Sequence, residues 1–463
     1  MKITKGLCAA FCLGLLLSAC TPAATQATAQ SPAPSSQPTP TVPQIEVGNL
    51  QLPDPRATNP ELFDLNSPDA PIVQFANAFG VDPEEVVFQQ PEIKTGVDGK
   101  QFVVMTTADL ASTANFDETG IPLLMDKQGE DGEWKWSDVN LRTLIEKIDP
   151  SFEIGATAHY PVYGDEFNRP NLEEFLTTNF NSTILENHLR WNGLETNQGI
   201  MDQTRINQVN QLIDFAILNN QIILGQHLFY YYEYPDWLKN GSFTQEQLEK
   251  IMQDRANSIM KKFPQIITWV VANEFHPISL NYHEDFLQSK LGTKEALFVM
   301  FQAAQNANPN AMLLFSDSHN ETMSETNFQR TLEFVSFLKE SGIRNVGVGM
   351  HLHRNANSSL DQEAMKEAIK KLGVPVFITE ADFDLTNISP NNQDRLFIQA
   401  EEFGKSLSAC LSAENCRGFF IWNPGDSSSF LEQGSIDADP TPFDDNLNPK
   451  PAYYALLQAL VEY

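Results

Sequence analysis

Two glutamates, Glu274 and Glu380, each stand at the end of an apolar, strand-like run, ITWVVANEF at 267–275 and VPVFITEADF at 374–383. Carboxyls on the ends of different parallel strands suit retaining glycoside hydrolysis. One protonates the leaving oxygen and the other attacks the anomeric carbon, across about 5–5.5 Å. Asn273 precedes Glu274 and offers an amide to a sugar hydroxyl. His353, at the end of VGVGMHLH, is placed to hold an ionised Glu380, and Trp422 offers an apolar face to sugar C–H groups.

Such side chains need a scaffold that brings distant strand ends together. Eight apolar runs begin near residues 152, 184, 222, 267, 311, 346, 374 and 416, with helical patterns such as INQVNQLIDFAILNN and EAMKEAIKKLG between them. This alternation predicts an α/β chain folded as a (β/α)8 TIM barrel over 139–463. Its strands, buried on both faces, read as apolar throughout, with polar residues gathered at their C-terminal ends. Residues 61–138 suggest a helix at PIVQFANAFGVDPEEVV and strands at KQFVVMTT and IPLLMDKQGEDGEWKWSDV, the last turning at Gly129–Gly132. They are expected to form a small α+β segment before the barrel.

The chain of 463 residues carries 60 acidic and 30 basic side chains, a net charge of −30 that argues against nucleic acid or an anionic membrane surface as the main partner. Residues 1–19 read as an export signal, with Lys2 and Lys5 before an apolar stretch. Leu17-Ser18-Ala19-Cys20 resembles a bacterial lipoprotein processing site, with Cys20 lipidated and holding the exported protein on the cell envelope. The alternative is an ordinary cleaved signal with an incidental cysteine. Residues 20–60, rich in Pro, Thr, Ser and Ala, are expected to be a disordered tether. Export favours a local disulfide between Cys410 and Cys416 over two free thiols. A monomer with no cofactor is expected.

WVVANE and FITEADF resemble the two catalytic motifs of glycoside hydrolase family 10, the retaining endo-β-1,4-xylanases. LENHLRW, PDW, GVGMHLH and PFDDNLNPKPAYYAL match further motifs in order over about 140–463. The resemblance implies Glu274 as acid/base, Glu380 as nucleophile, Asn273 at the sugar 2-hydroxyl and His353 orienting Glu380. Glu186, Asn187 and Trp422 would bind glycone sugars, and the Cys410/Cys416 pair recurs in family members. That chemistry predicts a Glu274 pKa raised by its surroundings. The departures gather near the reacting sugar: Arg190 for the usual Lys, Gln226 for His, Tyr230 for Trp, Tyr231 for His, Glu233 for Gln, His351 for Gln and Phe430 for Trp. Arg190, Gln226, Tyr230 and His351 are therefore expected to wall the sugar site and alter its preference.

Two other function classes fit parts of this pattern. His351 and His353, two apart on a strand, face the same way and suit a metal, but no second histidine cluster sits at another strand end. A tethered, non-catalytic barrel would capture oligosaccharides through Tyr230, Tyr231 and Trp422. His188 is expected inside the fold.

Overall fold

The computed structural model describes residues 44–47, 50–53, 59–86, 89, 92–105, 123–127, 134–137, 139–157, 172–185, 187–275, 285–431 and 437–463. The export signal, Cys20, Glu186 and the turn at 129–132 lie outside the described residues.

Eight parallel strands close into a barrel: β1 (Glu153–Thr157), β2 (Ser182–Ile184), β3 (Ile222–Gly225), β4 (Thr268–Asn273), β5 (Met312–Ser318), β6 (Val346–Asn355), β7 (Val376–Asp384) and β8 (Cys416–Ile421). Each pairs with its sequence neighbour, and β8 returns to β1 with Gly418 opposite Glu153. This is the expected (β/α)8 barrel. After β3 the chain leaves the sheet for three residues and rejoins it as Phe229–Tyr230, with Tyr230 opposite Asn273 of β4.

The barrel interior is filled rather than open. Ile184, Leu224, Val270, Leu314, Phe377 and Phe420, from six strands, form their own buried cluster. Opposite Phe420 stands Gly155, where a Cβ would come within 2.5 Å of the Phe420 ring. The outer faces of the strands pack on the surrounding helices. Several of these start at a side-chain cap: Asp202, Thr244 and Asp361 each accept a hydrogen bond from a first-turn N–H.

The sequence reading ran the second strand from residue 184 onward, yet β2 ends there. Asn187 takes a left-handed φ of 60°, and the chain turns into the short helix Trp191–Leu194. His188 accordingly sits buried in a turn, not on a strand.

The segment before the barrel contains helix Pro71–Phe79 and a four-stranded antiparallel sheet of Glu92–Thr95, Gln101–Met105, Leu123–Lys127 and Trp134–Ser137. Asn140 closes a capping box with Thr143 and starts helix Leu141–Ile148, which leads into β1. The expected boundary near 139 is thus a change of element type but not of core. Phe75, Phe79, Phe102 and Val104 join the hydrophobic cluster that the barrel helices share, and residues 42–463 form one compact unit. Phe75 and Phe79 meet the Tyr454 ring at 5.1 and 5.6 Å, and Phe79 meets Phe397 at 5.8 Å. The expected tether also differs from the structure at its end, where Gln44–Val47 pairs with Leu50–Pro53 as an antiparallel hairpin. Gly48-Asn49 between them is turn-prone sequence that a composition-based reading passes over. Cys410, in the last turn of helix Arg395–Leu411, is disulfide-bonded to Cys416 at the start of β8.

Candidate active site

The C-terminal ends of the strands carry unusual backbone. Asn187, Glu274, His319 and Asn423, which follow β2, β4, β5 and β8, all have positive φ without being glycine. Such conformations cost about 1–3 kcal/mol each and concentrate where a side chain must be aimed. Glu274, with φ 44°, is held by its own N–H donating to the Ser316 carbonyl at 2.8 Å. This turns its carboxyl over the barrel mouth, with 26% of the side chain exposed.

Glu380 lies within β7, opposite His351 of β6, and only 5% of its side chain is exposed. Strand alternation puts Glu380 and Asp382 on one face of β7 and His351 and His353 on one face of β6. His353 bridges the acids, with Nε2 2.8 Å from Glu380 Oε2 and Nδ1 2.9 Å from Asp382 Oδ2. Gln226 donates its amide N–H to Glu380 Oε1. His351 stands behind both candidate catalytic groups. Its Nε2 is 3.2 Å from Glu380 Oε1 and 2.7 Å from Ser316 Oγ, and its Nδ1 is 3.6 Å from Glu274 Oε1. Tyr230 donates its hydroxyl to Glu274 Oε2 at 2.5 Å.

These contacts set the ionisation. Burial pushes the Glu274 pKa up, but the nearby His351 imidazole, with the Tyr230 hydroxyl, outweighs it and holds the carboxyl at about 2. This reverses the raised pKa expected from the sequence, because a buried imidazole stands where the resemblance expects a neutral glutamine. Burial also opposes ionisation of Glu380, yet His351 and His353 keep it below its ordinary value. Burial lowers the affinity of both imidazoles for protons, and the facing carboxylates more than restore it: His351 is raised and His353 raised well above a free histidine. Burial and the negative charge of Glu274 raise the Tyr230 phenol, which stays a neutral donor.

A family model described as glycosyl hydrolase family 10 matches residues 143–459. This chain belongs to that family. Relatives include Endo-1,4-beta-xylanase D of Talaromyces funiculosus, 28% identical over 312 residues, which cover 66% of this chain and 74% of the relative. Endo-1,4-beta-xylanase B of Thermotoga neapolitana is 26% identical over 337 residues, covering 70% and 92%. Among solved structures, native xylanase 10B from Thermotoga maritima superposes with a TM-score of 0.63 at 25% identity, over 70% of this chain and 98% of that one. Xylanase 10B from Thermotoga petrophila RKU-1 in complex with xylobiose gives 0.63 at 26% over the same shares. The chain is an endo-xylanase-like glycoside hydrolase, and residues 1–142 lie outside the family match.

Within the family 10 frame, the residues expected to wall the sugar divide into two groups. Gln226 and His351 are almost wholly buried and face carboxylates instead of the cleft, and the Tyr230 hydroxyl is spent on Glu274. Arg190, with 45% of its side chain exposed, lies at the rim, where its Nε pairs with buried Glu233 at 3.0 Å. His227 Nδ1 stands 3.5 Å from the other Glu233 oxygen. Trp422 packs edge-on to His353 at 6.1 Å, and half-exposed Phe430 meets the same ring at 5.6 Å. Asn273 is buried beside Glu274, its Oδ1 without a hydrogen-bond partner among the described residues. The sequence reading missed Asp382, although its position two residues beyond Glu380 on a strand was a sufficient signal.

Proposed function

We propose that this chain cleaves β-1,4-linked xylan or a related plant polysaccharide with retention of configuration, Glu274 serving as acid/base and Glu380 as nucleophile. What carries this reading is that the turn after β4 and the middle of β7 present their two carboxyls to opposite nitrogens of one imidazole, His351. Glu380, ionised and fixed by Gln226 and His353, attacks the anomeric carbon and forms an ester as the glycosidic C–O bond breaks. The departing oxygen takes a proton from Glu274. Water then gives a proton back to Glu274 while its oxygen attacks the same carbon and frees Glu380. Asn273 would hold the sugar 2-hydroxyl, Trp422 would face the sugar ring, and Glu186, Asn187 and Arg190 would line the glycone side. Export and a lipid anchor at Cys20 would set a monomer to work at the cell envelope.

One observation favours a second reading. A carboxyl held at about 2 is protonated in about one molecule in 10⁴ at pH 6, a poor store of protons for a leaving oxygen. A barrel that captures oligosaccharides without cutting them would need no such proton. The metal reading is weaker. The ligand atoms of His351, His353 and Glu380 lie within 4.8 Å of one another, but both imidazoles have raised proton affinity, which opposes metal binding.

The test is hydrolysis of xylan, other plant β-glycans and aryl xylobiosides by the protein lacking residues 1–41, beside Glu380→Ala. Xylan cleavage with retained configuration, abolished by Glu380→Ala, is expected. Turnover of another glycan alone would reassign the substrate. Saturable oligosaccharide binding without any product would establish capture.

A further inference from the structure

We propose that His351 is the resident store of the catalytic proton, passing it through Glu274 during glycosidic cleavage and recovering it when water arrives. This rests on the acid/base and nucleophile roles given above, and on a geometry that those roles do not require. None of the His351 side chain is exposed, so it cannot bind sugar. Its two nitrogens face the two carboxylates that change charge in the reaction, Nδ1 toward Glu274 and Nε2 toward Glu380. Nδ1 has Glu274 Oε1 as its ion-pair partner at 3.6 Å and no hydrogen bond among the described residues.

Among the described residues, the turn after β4 contributes Glu274 and β7 contributes Glu380, while β5 contributes the uncharged Ser316 hydroxyl. On its own strand, His353 lies 5.7 Å away ring to ring. Beyond the carboxylates, Tyr230 bonds to Glu274, His227 bears on Glu380 and Asp382 pairs with His353.

The proton balance is closed. In the resting site His351 carries two protons and both glutamates are ionised. Nδ1–H moves to Glu274, which delivers it to the leaving oxygen as Glu380 forms its ester with the anomeric carbon. Esterification removes the negative charge beside Nε2, so the imidazole loses its stabilising partner at the moment it gives up the proton. Water then supplies hydroxide to the anomeric carbon and a proton to Glu274, and His351 takes that proton as Glu380 regains its charge. One water is consumed and the resting charges return.

Such a store keeps one proton in the site until the pH passes the raised His351 value, so the rate stays flat where an isolated glutamic acid would already have lost its proton. The same cation keeps Glu380 ionised at low pH. His351→Gln, the residue usual in the resemblance, should therefore narrow the pH profile of kcat/KM from both sides. For an unactivated aryl xylobioside the alkaline inflection should fall by at least about one pH unit. A dinitrophenyl xylobioside, whose leaving group needs no proton, should show no alkaline shift. Equal inflections in the two proteins, with only a uniform loss of rate, would overturn the proposal and leave His351 a packing residue. A second measurement needs no substrate: imidazole nitrogen NMR should show His351 titrating above an ordinary histidine, and Glu274→Gln should lower that value. An unchanged His351 titration in Glu274→Gln would also overturn it. Failure of wild-type protein to turn over the dinitrophenyl substrate would instead refute the hydrolase roles themselves.

Discussion

Tyr230→Phe isolates what one hydroxyl does to the candidate acid/base. The phenol donates to Glu274 Oε2 at 2.5 Å, and the carboxyl is held at about 2. A hydrogen bond to a charged group contributes about 1.5–3 kcal/mol. At 1.36 kcal/mol per pKa unit, its loss should raise Glu274 by about one to two units. Phenylalanine keeps the ring contacts with His227, Tyr231 and Tyr232, so the change is confined to the hydroxyl. Titration of carboxyl-labelled glutamate followed by NMR reads the shift directly. Stability gives an independent check. Glu274 is depressed on folding, so its ionised form stabilises the fold above the unfolded pKa of about 4.5, and that contribution disappears as pH falls through about 2. Wild type should exceed Tyr230→Phe in unfolding free energy at pH 6, and the gap should close toward pH 2. A Glu274 titration unchanged by the substitution would refute this account and leave His351 as the whole cause.

Three further outcomes are expected. Glu380→Ala should lower turnover of xylan or aryl xylobiosides by at least about 10⁴-fold with the fold intact by circular dichroism, since it removes the carboxyl proposed to form the ester. Replacing Cys410 and Cys416 together by alanine should cost about 2 kcal/mol, the loop-closure value for cysteines separated by six residues, as read by chemical denaturation under oxidising conditions. Phe75→Ala should cost about 3–5 kcal/mol in the single unfolding transition of the whole protein, because Phe75 is fully buried against Tyr454. A separate early transition would show that the N-terminal segment unfolds on its own.

The barrel and its pair of glutamates were legible because strand burial and polar strand ends recur eight times in sequence order. What escaped depends on contacts between elements. The aim of Tyr230 is set by the break after Gly225, where the chain leaves β3 and returns beside Asn273. The ionisation of Glu274 was expected in the opposite direction, since its cause is an imidazole 77 residues downstream whose charge is in turn sustained by Glu380. The pairing of Arg190 with Glu233 joins two segments that no periodicity links. Composition alone marked residues 44–53 as tether, although a short hairpin needs only a turn between two extended stretches.

The rings of Phe75 and Phe79 against Phe397 and Tyr454 bind the history of the two parts of the chain together. Once a barrel helix presents Tyr454 to a covering helix, losing the cover exposes aromatic surface that water penalises and that other chains can adhere to. Removal of the N-terminal segment would then require compensating polar replacements on the helices after β7 and β8. Such an accessory is entrenched: easier to elaborate than to discard, whatever work it first performed.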